Sequence, residues 1–311
     1  MIEQNTQPIL VSGAHRSGTT WVGKMLAAGS RVAYISEPLN VLHRPGVFRA
    51  PTKYWYSYIC EDNQDDYLAA FQEMLSFEYH TDVELRSIKS VKDIFRMLRD
   101  WRVFWNGRRN HQIPLIKDPF AVFSSEWFNR SLGCRVIIVV RHPAAVTSSL
   151  MKLGWSFDMR DLLNQPLLHR DWLEPFKGEM EKTLESPGDL IAQSCLLWRM
   201  VYQSVNELRK KLPGLIVIRH EDISLDPVDE YYRLYKSLGL EYTSDIQSAI
   251  WAASSGDNPS ETSKRSVHSV RIDSQSLVKS WKQRLSSADI DRIRQLTNDV
   301  APIFYTDEDW A

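Results

Sequence analysis

The stretch Ile9-Leu-Val-Ser-Gly-Ala-His-Arg-Ser-Gly-Thr-Thr-Trp21 decides the fold of this chain. Its apolar start ends at Ser12-Gly13, which is typical of a buried strand that stops at a tight turn. From Thr19 to Ala28, apolar residues recur at helical spacing. A strand therefore enters the turn and a helix leaves it. The N–H groups and the positive dipole end at that helix start predict an anion-binding site.

The loop fits the phosphate-binding pattern G-x-x-x-x-G-K-[ST] at all but one position. Gly13 and Gly18 have the correct spacing and Thr20 fits the last position, but Thr19 stands where the lysine should be. Without that lysine, the β- and γ-phosphates of a nucleoside triphosphate lose their main cationic partner. The basic residue of this loop is Arg16 instead. Taken alone, the stretch is also compatible with an ordinary strand, turn and helix that bind nothing.

A second motif lies between residues 135 and 149. Val136–Val140 is a continuous β-branched run, typical of a strand buried on both faces of a parallel sheet. Arg141 follows this strand, and Ser149 falls about two turns into the next predicted helix. Either residue alone could be an ordinary surface residue. Together, downstream of the first loop, they predict a second anion contact at the carboxyl edge of the sheet.

These two motifs resemble the nucleotide site of sulfotransferases, which use 3′-phosphoadenosine 5′-phosphosulfate (PAPS) and release 3′-phosphoadenosine 5′-phosphate (PAP). Looser similarities at 215–222 and 278–285 extend the resemblance over most of the chain. The resemblance implies a 5′-phosphosulfate loop, a 3′-phosphate site and a basic loop that closes over the 3′-phosphate. The implied nucleotide-binding residues are His15, Arg16, Ser17, Gly18, Thr19, Thr20, Trp21, Arg141, Ser149, Lys264 and Arg265. For Trp21, core packing of the first helical turn is an equally good interpretation.

Two residues that follow predicted strands are candidates for the reaction itself. Glu37-Pro-Leu39 resembles a sequence of carbohydrate sulfotransferases, and a glutamate near this point acts as the base in several family members. Lys117-Asp-Pro-Phe120 resembles tyrosylprotein sulfotransferases, in which the lysine lies near the sulfonate. The resemblance implies Glu37 as general base, with Lys117 and Arg16 stabilising the leaving group. In the alternative interpretations, Glu37 pairs with Arg16 or begins a turn, and Lys117 pairs with Asp118.

Five apolar runs, each before a helical stretch, predict a parallel sheet covered by helices on both faces: 9–11, 32–35, 113–116, 136–140 and 215–218. The predicted fold is a three-layer, P-loop-like α/β fold that forms one domain over 1–311. A helical insertion is expected at 64–107, between the second and third strands, and a loop with a nucleotide-covering segment at 254–285. The apolar residues of the insertion are predicted to pack in its core: Phe71, Met74, Leu75, Ile94, Phe95, Leu98, Trp101, Phe104 and Trp105.

Composition narrows the class of protein. The net charge of −1 implies no general attraction to nucleic acid or to anionic membranes. No run approaches the roughly 20 apolar residues that a membrane span requires. The three cysteines, Cys60, Cys134 and Cys195, are widely spaced, which favours a reducing, cytoplasmic location and argues against a zinc site. We therefore expect an enzyme that needs no metal.

The acceptor is the least determined part of the prediction. Segments 43–58 and 155–177 mix aromatic and basic residues, which suits stacking on sugars and pairing with acidic groups. The first segment equally suits a lid or a contact in a homo-oligomer. With Glu37-Pro-Leu39, they favour a glycan or a glycosylated small molecule over a phenol. The predicted function is PAPS-dependent sulfonate transfer; a P-loop kinase and a non-catalytic nucleotide-binding protein are the alternatives.

Overall fold

A five-stranded, wholly parallel sheet forms the centre of the molecule. The computed structural model describes residues 6–259 and 271–311. The strands are β1 (Ile9–Gly13), β2 (Val32–Ser36), β3 (Ile113–Lys117), β4 (Arg135–Val140) and β5 (Ile216–Arg219). Their order across the sheet is β2-β3-β1-β4-β5, and every neighbouring pair is parallel. The predicted α/β fold and its five strands are confirmed, with strand ends that differ by one or two residues.

Helices surround the sheet and join its strands. They are α1 (Thr19–Leu26), α2 (Leu68–Leu75), α3 (Thr81–Ser87), α4 (Val91–Arg109), α5 (Ser125–Leu132), α6 (Pro143–Leu153), α7 (Arg160–Leu163), α8 (Pro166–Leu168), α9 (Lys177–Glu185), α10 (Leu190–Lys211), α11 (His220–Leu225), α12 (Pro227–Ser237), α13 (Ser244–Ser254), α14 (Ser274–Val278), α15 (Ser287–Leu296) and α16 (Asp307–Trp310). Short 3₁₀ turns lie at Gln64–Asp66, Pro119–Ser124, Glu174–Phe176, Ser280–Gln283 and Ala301–Ile303, and a π-helical turn lies at His169–Leu173.

Two apolar layers cover the faces of the sheet. Leu10 and Ile138 belong to the layer that includes residues of α5 and α10. Val11 and Ile137 belong to the opposite layer, which includes residues of α1, α12 and α13. Because successive side chains of a strand point to opposite faces, the central strands supply both layers. This explains why their sequences are continuously apolar.

The strand order determines where a ligand can bind. The chain leaves β1 toward β2 on one side, and after β3 it crosses β1 to form β4 on the other. The carboxyl ends of β3, β1 and β4 are therefore neighbours, with Val11 in register with Lys117 and Gly13 with Val139. In parallel sheets, ligands bind in the crevice at such a reversal of strand order. The loop after β1 lies at this point.

The helical insertion is present, but one face of it packs differently from the prediction. Phe71, Met74 and Phe104 are buried, and Leu75 packs against the core. Five other residues on α4 are 40–69% exposed, so their prediction as core was wrong: Ile94, Phe95, Leu98, Trp101 and Trp105. The buried residues of α4 are Phe104 and Gly107, and the apolar stripe lies on the opposite side of the helix. Periodicity identifies an apolar face but not what the face contacts.

Candidate functional site

The loop between β1 and α1 requires glycine at two positions. Gly13 has a φ of 148° and Gly18 a φ of 98°, both in the region that favours glycine. A Cβ on Gly13 would overlap the Val139 carbonyl, and one on Gly18 would overlap the His220 ring. Arg16 also has a positive φ, 70°, which is uncommon for a residue with a side chain. The loop backbone is therefore held in a fixed shape at the start of α1.

Two arginines and a serine come together beside this loop. The Arg141 guanidinium donates to the Arg16 carbonyl at 3.0 Å, and the Arg16 Nε donates to the Ser149 Oγ at 3.0 Å. Burial and, to a smaller extent, the charge of Arg141 lower the pKa of Arg16 to about 10. Burial also lowers the pKa of Arg141. Arg16, Arg141 and Ser149, the residues predicted to contact the 5′-phosphosulfate and the 3′-phosphate, thus form one positively charged corner.

Nearby polar groups leave this positive charge largely unneutralised. Within 6–259 and 271–311, neither Arg16 nor Arg141 makes a salt bridge with a carboxylate. The charge of Glu221 acts on Arg141, but its carboxylate accepts hydrogen bonds from the His142 N–H at 2.9 Å and the Tyr305 hydroxyl at 3.0 Å. The Arg141 Nε is buried and has no hydrogen-bond partner in the described part of the chain. Since an unsatisfied buried donor costs about 1–3 kcal/mol, this corner fits an anionic ligand.

A third arginine reaches the same corner from the C-terminal segment. The Arg284 Nε donates to the Ser148 Oγ at 2.8 Å, and its charge helps to lower the pKa of Arg141. The sequence prediction assigned the corresponding role to Lys264 and Arg265, which lie outside the described residues. The basic pattern at 278–285 was the available signal for Arg284.

Trp21 packs mainly against protein side chains. It is 7% exposed, and its ring lies 5.6 Å from Tyr231 in an edge-to-face arrangement and 5.9 Å from His220. Its indole N–H is buried without a hydrogen-bond partner among the described residues. These contacts favour core packing. Sequence reasoning did not assign His220 to the site, although its position directly after β5 was a signal.

His15 contacts Tyr56 and Phe157. The ring Nδ1 of His15 lies 2.8 Å from the Tyr56 hydroxyl, and the backbone N–H of His15 donates to the same hydroxyl at 3.2 Å. The His15 ring also stacks near the Phe157 ring. Burial and, to a smaller extent, the charge of Arg16 lower the pKa of His15 to about 4. His15 is therefore neutral at pH 7 and offers a hydrogen bond but no positive charge.

Glu37 and Lys117 form a salt bridge at the ends of β2 and β3. Lys117 is 1% exposed, and the Glu37 N–H donates to the Lys117 carbonyl at 2.8 Å, which continues the strand pairing. The second Glu37 oxygen accepts from the Asn40 side chain at 2.8 Å. The structure thus pairs Glu37 with Lys117, and not with Arg16. Glu37 has a φ of 50°, an unusual conformation for a residue that merely continues a loop.

Asp118 holds the backbone around this salt bridge. Its carboxylate accepts from the Leu39 N–H at 2.6 Å and the Phe120 N–H at 2.9 Å, and its carbonyl accepts from the Ser12 hydroxyl at 2.7 Å. Burial and the negative charge of Glu37 raise the pKa of Asp118 to about 7. Asp118 therefore connects the ends of three strands, a role that sequence reasoning missed.

A cavity of about 820 Å³ runs along the outer edge of β2 and includes the Glu37–Lys117 pair. Lys24 and Tyr34 line one part of it, and Asp100, Val103 and Phe104 of α4 line another. Four amide side chains contribute to its wall: Asn40, Asn106, Asn110 and Gln112. The cavity therefore offers many hydrogen-bonding groups and few aromatic faces.

The aromatic residues that the sequence placed at the acceptor have other contacts. Phe48, Tyr56 and Tyr58 are buried, which agrees with the alternative of a lid packed on the domain. Arg49 pairs with Glu73. From the second segment, Trp155 is exposed, and the Arg16 guanidinium lies 5.8 Å from the centre of its ring. The prediction of sugar-stacking aromatics at 43–58 thus loses its main support.

The described part of the chain contains no group of three or more His, Cys, Asp or Glu residues arranged to hold a metal ion. None of its helices is both long and apolar enough to span a membrane. Cys60, Cys134 and Cys195 are free thiols, and the last two are buried.

Comparison with known proteins gives one extensive match. A model of the sulfotransferase domain matches residues 6–301. Similar solved structures include the sulfotransferase domain of the curacin biosynthetic pathway, at 15% identity over 95% of this chain and 99% of that chain, with a TM-score of 0.49. A mouse sulfotransferase complexed with PAP is 14% identical over 98% of this chain and 86% of that chain, with a TM-score of 0.43. No curated protein matches the chain at comparable stringency.

Proposed function

Because this chain belongs to the sulfotransferase family, whose members take a sulfonate from PAPS, we propose that it transfers that group to a hydroxyl of a glycan or glycosylated small molecule. The family match gives the enzyme class, PAPS-dependent sulfotransferase. The residue roles and the acceptor are our proposal. The observation that carries it is the position of the Glu37–Lys117 pair, which lies at the same sheet edge as the phosphate loop and also lines the cavity beside β2.

At the nucleotide end, backbone N–H groups of the loop and the start of α1 hold the 5′-phosphosulfate. Gly18, Thr19 and Thr20 supply the N–H groups and the positive dipole of a helix start. The Ser17 N–H already donates to the Ala14 carbonyl at 3.0 Å, so Ser17 contributes its hydroxyl instead. Arg16 binds the same group, and Arg141 with Ser149 binds the 3′-phosphate. The absence of acidic partners for either arginine in the described residues supports these roles, because two adjacent cations, one of them buried, attract a multiply charged anion.

At the reaction end, Glu37 accepts the proton of the acceptor hydroxyl. An alcohol is too weak an acid to ionise near pH 7, so a positioned base assists its attack on the sulfonate. Lys117 orients the Glu37 carboxylate through their salt bridge. As a buried cation, Lys117 also stabilises the negative charge that develops on the leaving group. PAPS, when bound, supplies the electrophilic sulfonate and the leaving group.

The wall of the cavity supports a polyhydroxylated acceptor over a phenol. Asn40 also touches Glu37, and amides farther along the wall could bind several sugar hydroxyls at once. A site for flat phenols would instead be expected to present more aromatic rings, whereas Tyr34, His43 and Phe104 are the ring-bearing residues of this lining. The three free cysteines support a cytoplasmic location as part of the same proposal.

Thermal-shift measurements with PAP and with ATP test the nucleotide assignment. PAP should raise the melting temperature far more than ATP with Mg²⁺, because a ligand that binds only the native state stabilises it. Stabilisation by ATP alone would favour the kinase alternative. Sulfation assays with neutral oligosaccharides and with simple phenols then test the acceptor. If PAP binds but no acceptor is ever sulfated, the chain is a non-catalytic nucleotide-binding protein.

A further inference from the structure

The most pronounced apolar stripe of α4 faces solvent. Val91, Ile94, Phe95, Leu98, Trp101 and Trp105 recur at helical spacing, and each is 40–69% exposed. Leu85, just before this helix, is also exposed. Large side chains scattered singly over a surface need no explanation, but a continuous exposed patch usually marks an interaction site. The helix is already held on the domain by Phe104 and Gly107, so this stripe is not needed to anchor it.

The same segment is strongly basic. Residues 85–109 contain eight Lys and Arg and two Asp, a net charge of +6, whereas the whole chain has a net charge of −1. Both Asp residues already have basic partners, since Asp93 pairs with Arg44 and Asp100 with Arg99. Arg102 and Arg109 lie at angles within the apolar stripe itself, because successive residues of a helix are separated by 100°. Apolar and cationic groups are therefore interleaved on one exposed face.

We propose that this face of α4 binds the surface of an anionic lipid bilayer. A helix with Trp, Phe and Leu on one face and many basic residues lies in the membrane interface, where its apolar side chains enter the boundary between headgroups and acyl chains. Lys and Arg near the surface attract anionic headgroups. The 19 residues of α4 extend about 28 Å, enough to contact several lipids at once. This inference does not depend on the sulfonate-transfer proposal.

Two other occupants fit the surface less well. A second copy of the chain would bring a like charge of +6 against this face, and that repulsion opposes a symmetric dimer through it. A nucleic acid would satisfy the arginines, but it would leave the aliphatic side chains of Ile94 and Leu98 against a charged phosphate backbone. A bilayer satisfies both the charged and the apolar groups.

Co-sedimentation of the full chain with vesicles tests the proposal. The protein should bind phosphatidylcholine vesicles that contain about 30% phosphatidylglycerol and bind pure phosphatidylcholine vesicles much less, since basic residues respond to anionic headgroups. Phe95→Ser combined with Leu98→Ser should lower the partition coefficient at least about tenfold, because two exposed apolar side chains no longer insert. Arg102→Gln and Arg109→Gln should each lower it about fivefold.

Trp251→Ser on α13 is the matched control, since Trp251 is 63% exposed but lies outside this surface. It should bind vesicles as the wild-type chain does. Circular dichroism checks that each variant folds. Equal binding to both kinds of vesicle, or undiminished binding by the Phe95/Leu98 variant, would overturn the proposal. So would a dimer that this variant converts to a monomer, or tighter binding to duplex RNA than to vesicles.

Discussion

The nucleotide end and the reaction end of the site differ in whether their positive charge is paired with a carboxylate. At the nucleotide end, the half-buried Arg16 and the buried Arg141 lie side by side, and in the described residues no carboxylate pairs with either. At the reaction end, Lys117 is more deeply buried and pairs with Glu37. The first arrangement attracts an anion, whereas the second is neutral and presents a carboxylate that can accept a proton. The two ends lie at one edge of one sheet, so the residues that follow each strand make the difference.

The largest effect should follow a change at the reaction end. In Glu37→Gln, the amide keeps the size of the side chain but cannot accept the hydroxyl proton. We expect kcat to fall roughly 10²- to 10⁴-fold, the range for the loss of a general base. The affinity for PAP, measured by calorimetry, should stay close to that of the wild-type enzyme. Near-normal turnover would show that another residue is the base.

Glu73→Gln is the matched control for this variant. It also removes a carboxylate that pairs with a basic side chain, Arg49, but it lies on the surface. Its kcat should be unchanged. A similar loss in both variants would indicate a general effect of removing an ion pair, and the contrast between the two ends of the site would lose its basis.

A smaller effect should follow a change at the nucleotide end. Arg141→Ala removes a buried cation, and we expect the affinity for PAP to fall roughly 10- to 100-fold, since a hydrogen bond to a charged group contributes about 1.5–3 kcal/mol. The affinity for adenosine 5′-phosphosulfate, which has no 3′-phosphate, should fall much less. Competition binding with the two nucleotides measures the ratio. Equal losses would argue against a 3′-phosphate contact.

Arg135→Ala provides the comparison within the same strand. Arg135 begins β4, whereas Arg141 follows its other end, so the two variants remove the same chemical group at opposite edges of the sheet. Arg135→Ala should leave the affinity for both nucleotides unchanged. Weakened PAP binding in this variant would mean that the overall charge of the chain, rather than the corner at Arg141, determines affinity.

The smallest expected effect is on the pH dependence of stability, and it concerns His142, which directly follows Arg141 at the nucleotide end. His142 stacks on Trp281 at 5.0 Å, and burial lowers its pKa to about 3. Because its pKa is lower in the folded state, this histidine reduces stability as the pH falls below its unfolded value near 6.5. Between pH 7.5 and 5.5 its share of the loss should be about 1.4 kcal/mol. His142→Phe should remove that share, as measured by urea unfolding at both pH values.

His111→Asn serves as the control for this measurement, because His111 is exposed. The free energy of unfolding of this variant should change with pH as it does in the wild-type chain. If the free energy of unfolding of His142→Phe keeps the full pH dependence of the wild-type chain, other groups of the fold are responsible for it. His142 would then make no contribution to the acid sensitivity of the protein.

Most of the fold was predictable because its signals are local. The turn at Gly13 and the β-branched run of β4 each depend on neighbouring residues alone, and the structure agrees with both. The position of Glu37 at the carboxyl edge of the sheet also followed from the sequence, because carboxyl ends of parallel strands share an edge. The contact of Asp118 with Leu39 and the approach of Arg284 to Ser148 could not be predicted, since each joins positions more than 75 residues apart.

By itself, the sequence determined the alternation of strands and helices, the anion-binding loop and the chemical groups at the strand ends. These depend on side-chain periodicity and on the conformations that glycine allows. Only the tertiary structure decided that Lys117 pairs with Glu37, that two arginines remain without acidic partners among the described residues, and that the apolar stripe of α4 faces outward. The physical reason is that charge pairing and burial depend on neighbours in space, and a periodic pattern contains no information about which neighbour a face will meet.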